Sequence, residues 1–159
     1  TLVYGGSNVG LMGLLADTVL AAGGQAVGVI PAALRDKEIA HQGLSELHVV
    51  GSMHERKALM AERSDAFVAL PGGMGTLEEL CEMLTWGQLG FHAKPCGVLE
   101  VNGYWGGLFR FLDTMVDSGF LRTEHRDMLL SADTPAGLLD AFAAYAPPRV
   151  KKWLSPSEL

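Results

Sequence analysis

The sequence predicts an α/β protein with a doubly wound, mostly parallel sheet that carries helices on both faces. Short runs of β-branched and aliphatic residues alternate along the chain with longer segments of helical periodicity. Continuous apolar runs, such as the one at 26–30, are typical of strands covered on both faces. The 159 residues, 48% of them hydrophobic, suit one domain, expected over 1–146 and followed by a C-terminal tail over 147–159.

Periodicity and punctuating residues give the order of the elements. Glycine and proline end the apolar runs, and serine or aspartate precedes several of the amphipathic segments. The predicted elements are, in order, a strand at 2–4, a helix at 11–22, a strand at 26–30, a loop or short helix at 32–44, a strand at 47–50, a helix at 53–63 capped by Ser52, a strand at 66–70, a helix at 76–89, a strand at 96–101, a helix at 105–117, a polar connection through 123–126, a short strand at 128–130 and a helix at 135–145.

Composition and charge exclude several classes of protein. A formal net charge of −6 argues against binding of nucleic-acid polymers, which requires a surplus of lysine and arginine. Glycine, proline or charge interrupts every apolar stretch before the roughly 18 to 20 residues that span a bilayer, so we expect no membrane segment. The start lacks a basic region ahead of an apolar one, which argues against a signal peptide and indicates a chain that begins within a fold.

The cysteines and histidines form no recognisable metal or redox motif. Cys81 and Cys96 have no CxxC spacing and no histidine at metal-ligand spacing, so we expect two buried reduced thiols and a cytoplasmic protein. The five histidines are scattered without an HxxxH or HExxH pattern, and we therefore expect no metal.

The most informative feature is the turn that joins the strand at 66–70 to the following helix. Its residues, Pro71–Thr76, include three glycines, which permit positive φ angles and a close approach of backbone to a ligand. Free N–H groups and the positive end of the helix dipole make such a turn a seat for an anion. We expect Thr76 to cap the helix and to offer a hydroxyl group. A tight turn that binds nothing is the alternative.

Charged residues accompany this turn. Glu78 and Glu79 are expected in the first turn of the helix, where carboxylates stabilise the N-terminus. Because two carboxylates oppose a bound phosphate, one of them is a candidate for other chemistry. Arg56 and Lys57 lie near the start of the preceding helix, the end that disfavours cations. An anionic partner explains them, and so does a solvated face with neighbouring glutamates.

A second glycine-rich turn, Gly5–Gly10, follows the first strand. It has neither the GxGxxG pattern nor a P-loop lysine, so it predicts neither dinucleotide nor nucleoside triphosphate binding. The use that we expect is a second close backbone approach to a nucleotide, at Gly5 and Gly6.

Together these motifs resemble the LONELY GUY (LOG) family of cytokinin-activating phosphoribohydrolases. The matching segments are 3–6, 10–13, 28–31, 53–57, 71–79 and 85–90. The family pattern PGGxGTxxE ends at Glu79, and MxxRK ends with Arg56 and Lys57. The chain has Ser7 where the family has a third glycine, and we expect the family's first strand and helix to be missing before Thr1.

The resemblance implies a Rossmann-like homodimer that hydrolyses N6-modified adenosine 5′-monophosphates, or AMP, to free base and ribose 5-phosphate. No metal or cofactor is implied. The catalytic pair would be Arg56 and Glu79. The implied substrate contacts are Glu38, Arg56, Lys57, Gly73, Met74, Gly75, Thr76, Leu77, Glu78, Glu79 and Thr85, to which the two glycine turns add Gly72, Gly5 and Gly6.

Two other functions stay open at this point. The same sheet and turn suit a carrier that holds a nucleotide or another phosphate ligand without cutting it. A lysine decarboxylase, a label that such sequences have attracted, needs pyridoxal phosphate on a lysine such as Lys57 or Lys94. The apolar Met83 and Trp86, on the helix that carries Glu79, suit either a dimer interface or the core.

Overall fold

The computed structural model describes residues 1–35, 37 and 40–148, which divide into two compact units. The first unit is Thr1–Ser64, and the second begins at Asp65. Within each unit the strands pair parallel and alternate with helices. This arrangement confirms the predicted α/β, Rossmann-like class. A single domain over 1–146 stays a prediction, and of the tail only 147 and 148 are described.

The first unit is built on a three-stranded sheet of order β1-β2-β3. Its elements are β1 (Leu2–Tyr4), α1 (Gly10–Ala21), β2 (Ala26–Pro31), α2 (Ala32–Arg35), β3 (Glu46–Val50) and α3 (Met53–Arg63). The central strand β2 is buried along its whole length, and a small core forms from Tyr4, Ala16 and Ala26. Since the strands are parallel, the carboxyl ends of β1 and β2 lie at one edge of the sheet, where the Gly5 turn begins.

Burial of β3 on both faces was a wrong prediction. Leu47 and Val49 are 38% and 45% exposed. The reason is that β3 pairs only with β2 in this sheet and forms its edge, a position that the residue pattern of the strand does not reveal.

The helix ends in this unit follow the predicted signals closely. The bounds of α3 are those predicted, and its start is fixed by the Ser52 Oγ, which accepts a hydrogen bond of 3.2 Å from the Glu55 amide. Gly23, with a φ of 78°, follows α1 and terminates it as expected.

The second unit has its own three-stranded parallel sheet, of order β4-β5-β6. Its elements are β4 (Phe67–Ala69), α4 (Met74–Leu89), β5 (Cys96–Leu99), α5 (Gly106–Asp117), α6 (Thr123–Arg126), β6 (Leu129–Ala132) and α7 (Pro135–Ala143). The core consists of Ala69, Leu80, Val98, Trp105 and Leu129, against which the partly buried Leu84 packs. Leu80 and Leu84 therefore face inward.

Three predictions for the second unit need correction. Residues 123–126 form a helical turn and not only a polar connection. Strand β5 stops at Leu99, two residues early, because the carboxylate of Glu100 accepts hydrogen bonds of 3.2 and 3.3 Å from the Trp105 amide and closes a turn there. Cys81 is exposed on α4, whereas Cys96 in β5 is buried as expected, and both are free thiols. Within the described chain, no helix combines the length and apolar character that a membrane crossing demands.

Candidate functional site

The turn between β4 and α4 leaves the start of a helix uncapped. Helix α4 begins at Met74, and its N-cap is Gly73, whose carbonyl accepts from the Leu77 amide at 3.2 Å. No side chain caps this N-terminus, whereas side chains of Ser52 and Thr134 cap α3 and α7. Because the first amides of a helix have no partner within it, the N–H groups at this end are available to an anion.

Thr76 does not cap the helix, contrary to the prediction. It is the third residue of α4, since the helix starts two residues earlier than expected. Its hydroxyl has no hydrogen-bond partner among the described residues, and its side chain lies so close to Gly72 that a Cβ at Gly72 would overlap the Thr76 Oγ1. Gly72 is thus required by the packing of the turn itself.

Gly73 and Gly75 are different, because the protein's own packing does not require them. Both are exposed, and a Cβ built at either would meet nothing within 4 Å. The expectation of positive φ angles was also wrong, since neither of them nor Gly72 is among the positive-φ residues of the described chain. The absence of side chains here leaves open space beside the first turn of α4.

The two glutamates lie beyond the first turn of α4, which corrects their predicted position. Glu78 and Glu79 are the fifth and sixth residues of the helix. Glu78 is exposed and Glu79 is half-buried. Because side chains four apart share a helix face, Glu79 lies on the face of Gly75. The carboxylate is therefore presented about one turn from the open space beside the uncapped N-terminus.

The remaining predicted residues on α4 are spread along the helix. Met74 is 79% exposed, and Leu77 is half-buried. Thr85 is exposed, and its hydroxyl donates to the Cys81 carbonyl at 2.7 Å. Met83 is 7% exposed and belongs to the interior of the structure, which favours the core alternative for that residue.

Arg56 is a buried cation in the first unit. Its side chain is on α3 and is 7% exposed. The guanidinium donates to the Val29 carbonyl through Nε at 3.1 Å and to the Gly5 carbonyl through Nη2 at 3.2 Å, and Nη1 contacts the Met53 Sδ at 3.8 Å. Of its five N–H groups, two have no partner among the described residues. No carboxylate in the described chain pairs with Arg56, so its charge is uncompensated there.

The glycine turn after β1 is shaped around this guanidinium. A Cβ at Gly5 would overlap Arg56 Nη2, so only glycine allows the arginine to reach the Gly5 carbonyl. Gly6 has a φ of 76° and packs against the backbone of Gly28. Ser7, the departure from the family pattern, is 1% exposed, and its Oγ accepts from the Val9 amide at 3.2 Å. Lys57, next to Arg56, is 9% exposed.

A residue that the sequence reasoning missed is Tyr104. Its hydroxyl donates to the Gly72 carbonyl at 2.5 Å, across 32 residues of sequence. Tyr104 follows β5, whose carboxyl end lies at the same edge of the parallel sheet as the turn after β4. That shared edge was the signal that would have drawn attention to the loop after β5.

The predicted residues thus fall into two groups that the structure describes separately. In the first unit Gly5 and Gly6 lie together with Arg56, and Lys57 is adjacent in sequence. In the second unit 72–79 and Thr85 lie on or before α4. Glu38 lies outside the described residues.

Burial governs the chemistry of the two cysteines. It raises the pKa of Cys96 to about 12, so this thiol is unreactive at neutral pH. Partial burial, with the nearby charge of Glu78, also raises the pKa of the Cys81 thiol. Among the described residues, no three or more histidine, cysteine, aspartate or glutamate side chains are grouped as metal ligands would be.

A family model and several known proteins match this chain over most of its length. Residues 12–142 match the family model described as "Possible lysine decarboxylase". The chain is 51% identical over 146 residues to the probable cytokinin riboside 5′-monophosphate phosphoribohydrolase LOGL9 of Oryza sativa subsp. japonica, covering 92% of this chain and 64% of the relative. It is 50% identical to LOG5 of Arabidopsis thaliana, with the same two coverages. It is 48% identical to LOG4 of Arabidopsis thaliana, covering 92% of this chain and 68% of the relative. The chain thus spans slightly under two thirds of the first two relatives.

Proposed function

The chain belongs to the LONELY GUY (LOG) family of phosphoribohydrolases, and from this premise we propose that it hydrolyses adenosine 5′-monophosphates, plain or N6-modified, to free base and ribose 5-phosphate. The names of its relatives support this reaction class. The observation that carries the proposal is the start of α4, where an uncapped first turn with open space beside Gly73 and Gly75 is followed on one face by Glu79.

The phosphate of the substrate would occupy the N-terminus of α4. Its oxygens would accept hydrogen bonds from the first-turn amides and from the Thr76 hydroxyl, and the helix dipole would favour the negative charge. Side chains at Gly73 and Gly75 would obstruct this approach, which explains glycine at two positions where the fold does not require it. Binding energy from the phosphate would then position the reacting bond.

The carboxylate of Glu79 would act on the glycosidic bond. Cleavage of an N-glycosidic bond develops positive charge on the sugar ring, which a nearby carboxylate stabilises. The same carboxylate is suited to orient a water molecule and accept its proton as that water attacks the anomeric carbon. The half-buried position of Glu79 suits this role better than the exposed position of Glu78.

Arg56 would serve by holding an oxygen of the substrate or the departing base. Two of its N–H groups have no partner among the described residues, and no carboxylate there offsets its charge, so it is disposed to bind an anion or a lone pair. Lys57, Glu38, Thr85 and the backbone at Gly5 and Gly6 are proposed as further contacts from the family motifs.

We also propose a cytoplasmic homodimer that needs no metal or cofactor. The free thiols of both cysteines support a reducing compartment. Light scattering that gives the mass of one chain would contradict the dimer, and recovery of the protein outside the cytoplasmic fraction would contradict the compartment.

The decisive test replaces the carboxylate. In Glu79→Gln the side chain keeps its shape but loses its charge and basicity, so we expect adenine release from AMP to fall by about 10²- to 10⁴-fold. Isopentenyladenosine monophosphate is assayed in parallel to compare the two bases. The matched control is Glu124→Gln, an exposed acid on α6 whose carboxylate lies 4.0 Å from Arg122, and we expect it to retain wild-type turnover. A Glu79→Gln variant with near wild-type turnover would contradict the role of Glu79.

Product analysis with the wild-type protein separates hydrolysis from the two other functions. A carrier would bind AMP saturably without releasing adenine, and a pyridoxal-phosphate enzyme would show the absorbance of an internal aldimine after incubation with that cofactor. Release of adenine and ribose 5-phosphate in equal amounts is the expected result.

A further inference from the structure

We propose that Tyr104 is a positioning residue that sets the orientation of the peptide between Gly72 and Gly73, and through it the phosphate seat at α4. This inference rests on the proposed function, because it assigns a role to Tyr104 within that site. The contact that carries it is the hydrogen bond of 2.5 Å from the Tyr104 hydroxyl to the Gly72 carbonyl.

The geometry of a peptide bond explains why this contact matters. The carbonyl of Gly72 and the N–H of Gly73 belong to one planar trans unit, and they point in opposite directions. A donor that holds the Gly72 oxygen therefore directs the Gly73 N–H away from Tyr104. The Gly73 amide lies at the N-cap of α4, immediately before the uncapped first turn.

The glycine pair needs such a restraint. A peptide flanked by two glycines rotates more easily than others, because no Cβ limits the backbone angles on either side. Gly73 lies in open space, so packing of its own does not fix this peptide. A flipped peptide would present a carbonyl oxygen where a phosphate needs a donor. The Tyr104 hydroxyl opposes that flip.

Tyr104, which is 52% exposed, is held through its backbone and one face of its ring. Its amide donates to the Val101 carbonyl at 3.1 Å, and the turn before it includes Asn102 and Gly103, both with positive φ. Its ring packs edge-on against Trp105 with the centroids 5.1 Å apart. Trp105 is 4% exposed in the core of the second unit, so the tyrosine is anchored on a buried side chain.

The test compares two tyrosine variants of the same unit. Tyr104→Phe removes the hydroxyl and keeps the ring, whereas Tyr145→Phe, with no hydrogen bond from its hydroxyl in the described chain, is the control. Calorimetry measures binding of ribose 5-phosphate and of adenine, which has no phosphate. For Tyr104→Phe we expect the Kd of ribose 5-phosphate to rise about three- to tenfold, the worth of one hydrogen bond. The Kd of adenine and the midpoint of unfolding should match those of Tyr145→Phe.

The outcomes separate this inference from the proposed function. An unchanged Kd for ribose 5-phosphate in Tyr104→Phe, or an equal loss for adenine, would overturn the positioning role even if the wild-type protein releases adenine from AMP. Selective weakening of ribose 5-phosphate binding in a protein that never releases adenine would support the positioning role and overturn the hydrolase. Absence of ribose 5-phosphate binding by the wild-type protein would overturn the positioning role, whereas the hydrolase is decided separately by release of adenine from AMP.

Discussion

Each unit has one glycine-rich turn that follows a strand and leads into a helix. The structural surroundings that favour glycine differ between the two turns. In the first turn Gly5 makes room for the guanidinium of Arg56, and Gly6 has a φ of 76° and packs on the backbone of Gly28. In the second turn Gly73 and Gly75 have extended or helical backbone and open space around them. The first turn is shaped by the protein's own atoms, and the second leaves room for something else.

Structural and ligand-related glycines differ in what surrounds them. A glycine is structural when a Cβ would overlap the protein or when φ is positive. When neither holds, the fold itself does not require glycine, and at the uncapped start of a helix the open space then suits a bound anion. By this criterion the second turn is the better candidate for a ligand seat, and the first turn acts mainly by holding Arg56 in place.

The largest expected effect in this contrast is the loss of stability in Gly5→Ala. The new methyl group would overlap the Arg56 guanidinium, which would have to leave its buried position and its bonds to the Gly5 and Val29 carbonyls. We expect a decrease of about 3 kcal/mol in the free energy of unfolding, from overpacking and lost charged hydrogen bonds. Urea unfolding measures it, with Gly43→Ala as the control, because a Cβ there would make only ordinary contacts with His41.

A double-mutant cycle shows whether the arginine causes that loss. In an Arg56→Met background the overlap is largely relieved, so Gly5→Ala should cost at least about 1 kcal/mol less there than in the wild-type protein. If Gly5→Ala lowers the free energy of unfolding equally in both backgrounds, contact with Arg56 is not what requires glycine at this position.

The next largest effect is a loss of binding without a loss of stability in Gly75→Ala. A methyl group in the open space should obstruct the phosphate, and we expect the Kd of ribose 5-phosphate to rise about tenfold or more, as the loss of one charged hydrogen bond would cause. Stability should increase by about 0.5 kcal/mol, because alanine favours the helix. Gly107→Ala is a close control, since Gly107 is also exposed and is the second residue of its helix, α5.

The comparison of Gly75→Ala with Gly107→Ala is informative in either direction. Both should stabilise the protein, and only Gly75→Ala should weaken binding. If Gly75→Ala binds ribose 5-phosphate as the wild-type protein does, the open space beside α4 is not the phosphate seat.

The sequence predicted the elements well wherever a local signal marks them. The Ser52 cap gave the start of α3 correctly, and Gly23 marked the end of α1. Helix α4 was placed two residues late, because its N-cap is Gly73, which has no side chain to signal the start. The exposure of Leu47 on β3 was missed, since edge or centre position depends on strand order.

The sequence motifs predicted which segments form the site, but they did not predict the contacts between its residues. The PGGxGTxxE pattern identified the turn and Glu79, yet nothing local distinguishes Gly72, which packs on Thr76, from Gly73, which packs on nothing. Tyr104 was missed because its contact with Gly72 joins residues far apart in sequence. Such contacts follow from the pairing of parallel strands, which the residue pattern alone leaves undetermined.

The smallest expected effect concerns a contact that holds helix α4 in its C-terminal half. His92 Nε2 lies 2.8 Å from the Met83 carbonyl of α4, and its Nδ1 accepts from the Lys94 amide at 3.1 Å. This arrangement requires a neutral ring. Burial, with the nearby Lys94 charge, lowers the pKa of His92 below its ordinary value of 6.5.

The sign of the pH effect follows from this lowered pKa. Between the lower pKa of the folded state and 6.5, the unfolded chain binds more protons than the folded one, so stability falls as the pH falls through that window and is fully present above it. The slope from this group is at most about 1.4 kcal/mol per pH unit.

Urea unfolding of the wild-type protein and of His92→Gln at pH 7.5 and 5.5 measures this contribution. Glutamine keeps a donor for the Met83 carbonyl and does not titrate, so the variant should lose less stability on acidification than the wild-type protein. An equal loss in both proteins would assign the pH dependence to other groups. The contact of His92 with helix α4 would then hold equally well at both pH values.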